Sequence, residues 1–440
     1  MSFRPGSMAR WLVIAVLLAA GCGGAQTVSN TLTILHTNDL HARFLPDERG
    51  RGGFAQLATA IQRERDDSEA AVVLHAGDLV QGSPVSSIYE GVPCYEVASK
   101  LGFDVNTLGN HEFDYTWRRI PDFFEASNFP TVSCNVVDRD GKLLAPEPYV
   151  ILERGGLRIG VIGALMERLD RLTRDHQRGH WRVLPAAAAV REYARKIRPH
   201  TDVIVVLGHL FDEEDEEVLR SVPEIDVLVS GHNHRGQESP KVVDGRIGVK
   251  LRAYGLELGR LDLTLRSGGR RVESFTWRRI PITTEDFEPD PAVAALVDRW
   301  ERKVSTVVDV RIGRSERDYD RRMVRGLIEK AMADAVGADL AYMNAGGVRD
   351  SLPRGQILVR GIWNILPFGN ALAYGRLRGR DLPGELSQGR RIDRNRTYIV
   401  ATNDFIAEQW EKRQGIVLTE RGPLVREALI DYIKQTRVLR

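Results

Sequence analysis

Phe103-Asp104-Val105-Asn106-Thr107-Leu108 runs directly into Gly109-Asn110-His111-Glu112-Phe113-Asp114. The first six residues read as a short buried strand. The next six place an amide, an imidazole and a carboxylate where that strand stops. The C-terminal ends of strands form the edge at which open α/β sheets hold ligands. One such stretch proves little, but four other strand-like runs in the first part of the chain end in the same way. Residues 31–37 lead to Asp39 and His41, 70–75 to Asp78, 202–207 to His209, and 225–230 to His232 and His234. Five of the ten histidines therefore fall at strand ends, too many for ordinary loop chemistry.

Working outward, strands and helices alternate. Gly52-Gly53-Phe54 opens an amphipathic helix through Leu57, Ile61 and Arg65, residues 84–101 contain helix, and 186–197 are helical. Further strands are expected over 129–135, 157–163, 249–254 and 260–265. The alternation predicts an α/β (α+β) domain over 30–285. A connecting helix is expected over 289–305, with Asp290 as N-cap and Pro291 at the first helical position. A smaller α/β domain over 306–440 follows, with a helix at 323–335, a strand at 338–343 and a glycine turn at 344–349. Strand-like pieces at 356–359 and 398–402 and a final helix over 424–434 complete it.

The 440 residues are 42% hydrophobic and carry a net charge of only +2, so bulk electrostatics gives no case for a nucleic-acid partner. At the N-terminus, Arg4 and Arg10 precede an apolar run from Trp11 to Ala20 and then Gly21-Cys22. This is the pattern of a secretory signal. The run is short beside the ~20 apolar residues of a transmembrane helix. A Cys after Ala19-Ala20-Gly21 resembles a bacterial lipobox, so residues 1–22 are expected to be a lipoprotein-type signal with Cys22 as the lipidation site. The protein is then exported and held at the membrane or cell surface by that lipid, or left in the periplasm. Cys94 and Cys134 could pair in an exported protein. Two separate buried thiols are the simpler reading.

The strand ends offer carboxylates, imidazoles and one amide oxygen, with no thiolate. Such donors suit Mn²⁺, Zn²⁺, Fe²⁺, Mg²⁺ or Ca²⁺ rather than copper or an iron–sulfur cluster. Asp39, His41, Asp78, Asn110, His209, His232 and His234 are too many ligands for one tetrahedral ion. They fit two ions sharing one carboxylate at a spacing of about 3.5–4 Å. Asp78, alone on its strand end, is the natural bridge. The Asp39-x-His41 and His232-x-His234 spacings suggest extended backbone, on which residues i and i+2 point the same way.

In order and spacing, ILHTNDLHARF, LHAGDLVQGSP, TLGNHEFDY, VVLGHL and VSGHNHR resemble the 5′-nucleotidases of the calcineurin-like metallophosphatase superfamily. MNAGGVRDSLPRGQI, ILPFGNAL and YIVATNDFIA resemble that family's C-terminal substrate domain, so nearly all of the mature chain is covered. The resemblance implies a four-layer αββα sandwich followed by the substrate domain. It implies that Asp39, His41, Asp78 and His234 hold one metal, and that Asp78, Asn110, His209 and His232 hold the other. His111 would face the phosphoryl group, oriented by Asp114. Asn344, Gly346, Gly347 and Arg349 would form a substrate loop, with Phe368 and Phe405 stacking on a nucleobase.

The implied activity is hydrolysis of nucleotide phosphate esters. The same dimetal core could instead serve a 2′,3′-cyclic nucleotide, a UDP-sugar or a thiosulfonate. A non-catalytic surface lipoprotein would be expected to have lost metal ligands, and none is lost. One departure concerns the substrate. After Asn403-Asp404-Phe405-Ile406-Ala407 the family continues with a Gly-Gly-Asp-Gly turn that holds ribose. This chain has Glu408-Gln409-Trp410-Glu411-Lys412, with Glu411 as the candidate replacement.

Overall fold

The structure is a computed structural model that describes residues 30–266, 272–387, 389 and 391–440. The signal segment and Cys22 lie outside the described residues. Among those described, no helix is long and apolar enough to cross a membrane.

Two six-stranded sheets make up the first part. One runs, edge to edge, Val272–Pro281, Glu257–Leu265, Thr31–Thr37, Ala71–His75, Val105–Thr107 and Thr131–Val132. The other runs Lys241–Val243, Arg246–Lys250, Val227–Ser230, Val203–His209, Leu157–Leu165 and Tyr149–Arg154. In the first sheet the four strands from Thr31–Thr37 to Thr131–Val132 run parallel, and Glu257–Leu265 and Val272–Pro281 join them antiparallel; in the second the inner strands are parallel and the outer pairs antiparallel.

Strand alternation explains the layering. Leu32, Ile34, Val72 and Leu74 of one sheet meet Val203, Val205, Val227 and Val229 of the other in a buried seam. Leu35 and Val73 face away and pack under Phe54, Leu57 and Ile61 of the helix Phe54–Asp66. Ile204, Val206 and Leu228 do the same beneath Val190 and Ala194 of Ala186–Ile197 and Val218 of Asp212–Ser221. Strands buried on both faces need near-continuous apolar runs, and these have them. The result is the expected αββα sandwich.

The helix Pro291–Val308 starts where Asp290 accepts from the Ala292 and Val293 amides at 3.0 and 2.9 Å. Beyond it, a second core gathers Val324, Ile328 and Met332 of Arg321–Val336 with Val425, Leu429 and Ile433 of Val425–Thr436. These helices pack with a three-stranded sheet and a four-stranded one, the latter ordered Leu340–Ala341, Thr397–Asn403, Ala371–Arg378, Glu420–Leu424.

Several strands are shorter than their sequences suggest. Only Thr131–Val132 and Val136–Val137 form within 129–135 and its neighbours, and only Leu340–Ala341 within 338–343. The expected strand at 249–254 ends at Lys250, because Leu251 is diverted to clasp Asn38. Cys94 and Cys134 are separate, buried and free.

Candidate metal centre

Five strand ends meet at one edge. Asp39 and His41 follow Thr31–Thr37, Asp78 follows Ala71–His75, and Asn110 and His111 follow Val105–Thr107, all from the first sheet. His209 ends Val203–His209, and His232 and His234 follow Val227–Ser230, from the second. Backbone bonds lace the first two loops together: Asp39 N–H to Gly77 O at 3.0 Å and His41 N–H to Asp78 O at 3.0 Å. The His232 N–H donates to the Asp39 carboxylate at 3.0–3.1 Å and so ties the second sheet to the first.

The convergence does not come from extended backbone. Asp39, His41, Asp78, His232 and His234 have φ of 51°, 48°, 58°, 80° and 61°. A non-glycine residue in this left-handed region costs of order 1 kcal/mol, and such residues cluster at functional sites. The i and i+2 side chains therefore meet because left-handed residues turn the loops inward, not because of strand pleating. Glycine permits the close approach at Gly109, where a Cβ would lie 2.2 Å from Asp78 Oδ1 and 2.5 Å from its amide nitrogen.

Asp39, His41, Asp78 and His234 offer ligand atoms within 4.8 Å of one another. His41 Nε2 lies 2.9 Å from His234 Nε2, 3.7 Å from Asp78 Oδ2 and 4.0 Å from Asp39 Oδ1. His234 Nε2 is 3.3 Å from Asp39 Oδ1. On the other side of Asp78, His209 Nε2 lies 3.1 Å from Oδ2. His232 Nδ1 is 3.1 Å from Asn110 Oδ1. All seven residues thus stand around one centre, with Asp78 between two groups.

Tautomers test whether a cation fits. His209 Nδ1 donates to Ala76 O at 2.8 Å and His41 Nδ1 to Val80 O at 3.3 Å, which leaves both Nε2 atoms as lone-pair donors. His209 Nε2 and Asp78 Oδ2 are buried without a hydrogen-bond partner. Two acceptors 3.1 Å apart with no hydrogen between them repel unless positive charge lies in reach. Burial opposes a charge on His209, yet Asp78 raises its pKa to about 9, so in the protein alone a proton supplies what the carboxylates demand. Oxygen and imidazole donors aimed at common points fit hard divalent ions.

His111 stands at the rim of this group. Its N–H donates to Asp78 Oδ1 at 2.9 Å, its Nδ1 meets Asp114 Oδ2 at 2.7 Å, and its Nε2 is 4.0 Å from Asp78 Oδ2. Burial disfavours its charged form, but Asp114 and then Asp78 outweigh burial and raise its pKa. His111 lies in a short 3₁₀ turn, His111–Phe113, with Asp114 just past the turn and free to reach back to the ring.

The second domain contributes directly. Arg349 Nη2 comes within 3.2 Å of His41 Nε2, and Phe368 packs on His111 with ring centroids 5.8 Å apart. The Arg349 guanidinium sits 5.9 Å over the Phe368 ring. Asn344 is held by the Asn403 amide at 2.9 Å, Gly346 is exposed, and Gly347 is packed against Met343 and Asn344. Phe405 has different surroundings. It lines a cleft with Arg171, Glu385, Gln409, Trp410 and Arg413. The segment 408–412 is not a turn but part of the helix Asp404–Gln414, with Trp410 buried and Glu411 exposed.

Two residues at this centre were not legible in sequence. Glu112 is fully buried and accepts from the amides of Asp78 (3.2 Å), Leu79 (2.9 Å) and Gly109 (2.7 Å). Asn38 donates to Asp39 Oδ2 at 2.6 Å while its amide clasps Leu251 in both directions at 3.0 Å. The partners that define these roles, Asp78 and Leu79 for Glu112 and Leu251 for Asn38, lie far along the chain, and only their place beside a ligand hinted at a role.

Residues 32–236 match the calcineurin-like phosphoesterase family, and residues 305–388 match the 5′-nucleotidase C-terminal domain. The 5′-nucleotidase of Vibrio cholerae is 28% identical over an alignment spanning 94% of this chain and 85% of that one. Protein UshA of Yersinia enterocolitica is 25% identical over 92% and 91%. The crystal structure of a 5′-nucleotidase precursor from Thermus thermophilus superposes with a TM-score of 0.84, at 24% identity over 93% of this chain and 97% of that one. The sulfate thiohydrolase SoxB of the same organism gives 0.80, at 18% identity over 93% and 95%. At these identities the likeness to the two solved structures is one of fold. With a phosphoesterase domain, a 5′-nucleotidase C-terminal domain and a cluster of Asp and His side chains that could bind metal, this chain belongs to the calcineurin-like phosphoesterases, as a 5′-nucleotidase-like metallophosphoesterase.

Proposed function

We propose that the protein is exported, is anchored through a lipid on Cys22, and hydrolyses phosphate monoesters of nucleotides. The observation that carries this reading is the approach of Arg349 to His41: it sets a guanidinium from the second domain against the metal-ligand cluster of the first, at 3.2 Å. Arginine forks match phosphate oxygens. The names of the relatives, 5′-nucleotidase above all, support a nucleotide as the ester.

In this reading Asp39, His41, Asp78 and His234 hold one ion, and Asp78, Asn110, His209 and His232 the other. Bound there, two divalent ions supply Lewis acidity and a low-pKa water for in-line attack on phosphorus. The chain does the rest. Arg349 binds a phosphoryl oxygen and orients the ester. Asp114 holds His111 Nδ1–H, which leaves Nε2 facing the reacting group to stabilise its charge or pass a proton to the leaving oxygen. Phe368, packed on His111 and under Arg349, limits water on that side. Asn344, Gly346 and Gly347 form the loop that delivers Arg349, and Phe405 supplies an aromatic face for the leaving group.

A second reading rests on the helix Asp404–Gln414. It occupies the position of the expected ribose turn and presents Glu411 exposed on the helix rather than on a glycine turn. The same dimetal core would then act on a UDP-sugar, a cyclic nucleotide or a thiosulfonate. Purified protein loaded with Mn²⁺ is assayed against AMP, UDP-glucose, a 2′,3′-cyclic nucleotide and 4-nitrophenyl phosphate. Turnover of AMP well above the generic ester supports the nucleotidase, and turnover of the generic ester alone refutes it while leaving the dimetal hydrolase standing. His111→Ala is expected to lose about 10²–10⁴ in kcat with metal content intact. A variant at full rate removes His111 from the chemistry.

A further inference from the structure

The loop that carries His232 and His234 has a residue between them that no catalytic role uses. Asn233 Oδ1 accepts from the amides of Arg235 at 3.0 Å and Gly236 at 3.2 Å, which closes the turn around itself. Its Nδ2 donates to Asp212 Oδ1 at 2.9 Å. That oxygen also takes Lys250 Nζ at 3.0 Å. Lys250 ends the strand Arg246–Lys250, paired in register with Ser230, the residue that enters the loop. Its side chain is 4% exposed, and Nζ makes a second contact, 2.5 Å, to Asp215 Oδ2. Burial opposes the ammonium, but Asp215 and Asp212 outweigh it and raise the Lys250 pKa, so the charge stays.

The arrangement is unusual for a fold support. A buried lysine with two carboxylates is an expensive way to pack a strand end, since apolar residues of similar volume do so as well or better. What an ionic group adds is fixed direction. Its direction here is specific: one Asp212 oxygen is shared between the buried ammonium and the asparagine amide flanked by both loop histidines. That loop needs holding, because His232 and His234 both lie at positive φ. Left to itself, a non-glycine backbone relaxes out of the left-handed region, and the two imidazoles would swing away from Asp39 and Asn110.

We propose that Lys250, Asp212 and Asn233 form a brace that pre-sets the His232–His234 turn and thereby fixes the protein's affinity for divalent metal. The inference rests on the metal centre proposed above. These are positioning residues, because none of the three touches a reacting atom.

Metal-free protein is titrated with Mn²⁺ and Zn²⁺ by calorimetry. Asp212→Ala is the first variant, since Asp212 is half exposed and its removal leaves the Lys250–Asp215 pair intact. Loss of such an outer partner typically weakens metal binding 10–100-fold. The expected result is a rise of that size in the Mn²⁺ dissociation constant, with an unchanged melting temperature of the metal-free protein and near wild-type kcat at saturating Mn²⁺. Asp212→Asn keeps an oxygen for the Asn233 amide and is expected to recover most of the affinity. Replacing the ion pair together, Lys250→Met with Asp215→Leu, avoids a stranded charge and should weaken metal binding to the same extent. Wild-type affinity in Asp212→Ala, or a lowered melting temperature without any change in affinity, overturns the brace. A wild-type protein that takes up neither ion overturns the metal centre itself.

Discussion

Replacing Glu112 by alanine tests how the centre is built. The carboxylate is fully buried and accepts three backbone amides, from Asp78, Leu79 and Gly109, with the Tyr95 hydroxyl at 3.3 Å as a fourth donor. Alanine leaves those amides without an acceptor in a region closed to solvent. Each stranded donor costs about 1–3 kcal/mol, so three cost roughly 3–9 kcal/mol. Removing a buried carboxyl offsets part of this and leaves a net loss of about 3 kcal/mol. For a domain of this size that lowers the melting temperature by roughly 6–12 °C. The functional effect is separate: the Asp78 amide is one of the three, and Asp78 sits at φ 58° with its carboxylate between His41 and His209. Without Glu112 that conformation loses its anchor, and Mn²⁺ affinity is expected to fall at least about tenfold. Calorimetric melts of metal-free protein measure the first effect, and Mn²⁺ titration the second. Glu112→Gln retains one acceptor oxygen and should fall between. A Glu112→Ala protein that melts within about 2 °C of wild type and binds Mn²⁺ normally refutes the reasoning.

Other outcomes follow from the same geometry. Gly109→Ala puts a methyl 2.2 Å from Asp78 Oδ1, so the variant should fold with a displaced Asp78 and show lost metal binding by calorimetry. Arg349→Ala should lower kcat/KM by about 10²-fold while metal affinity is kept, because it removes a charge-assisted donor to phosphate and no ligand. Arg349→Lys should recover only part of it. Burial pushes the Cys94 thiol up to about 12 and raises Cys134 as well. Neither should react with a thiol reagent at neutral pH until denaturant is added, and rapid labelling of native protein contradicts the packing.

How much of this was readable in the chain depends on whether the signal is local. The donor inventory is local: aspartates, an asparagine and histidines stand two to four residues past apolar runs, so their types and their shared edge follow from sequence. The reason for their convergence was not. Spacing of two suggested pleated backbone, whereas Asp39, His41, His232 and His234 adopt positive φ, a conformation that Asp and His favour more than most residues but adopt too seldom for residue type alone to announce it. The aromatic pair was similar. Both Phe368 and Phe405 fall in motif-like stretches, yet one packs on His111 and the other lines a cleft with Arg171 and Arg413.

By itself the sequence determined that strands and helices alternate, that hard ligands collect at strand ends, and that thiolates take no part. Those properties are carried by periodicity and by residue type, which act over a few neighbours. Tertiary structure alone decided which ligands touch. His41 meets a histidine 193 positions away, and Arg349 reaches His41 across 308. It also recruited Glu112, Asn38 and Lys250: Glu112 takes the amides of Asp78 and Leu79, Asn38 clasps Leu251, and Lys250 reaches carboxylates on the helix Asp212–Ser221. Contacts of that kind are set by how two sheets and a second domain pack, and packing leaves no periodic trace in the residues it brings together. The six residues from Gly109 to Asp114 show the division: their chemistry was written in the chain, and the hold of Glu112 on Asp78 was made by the fold.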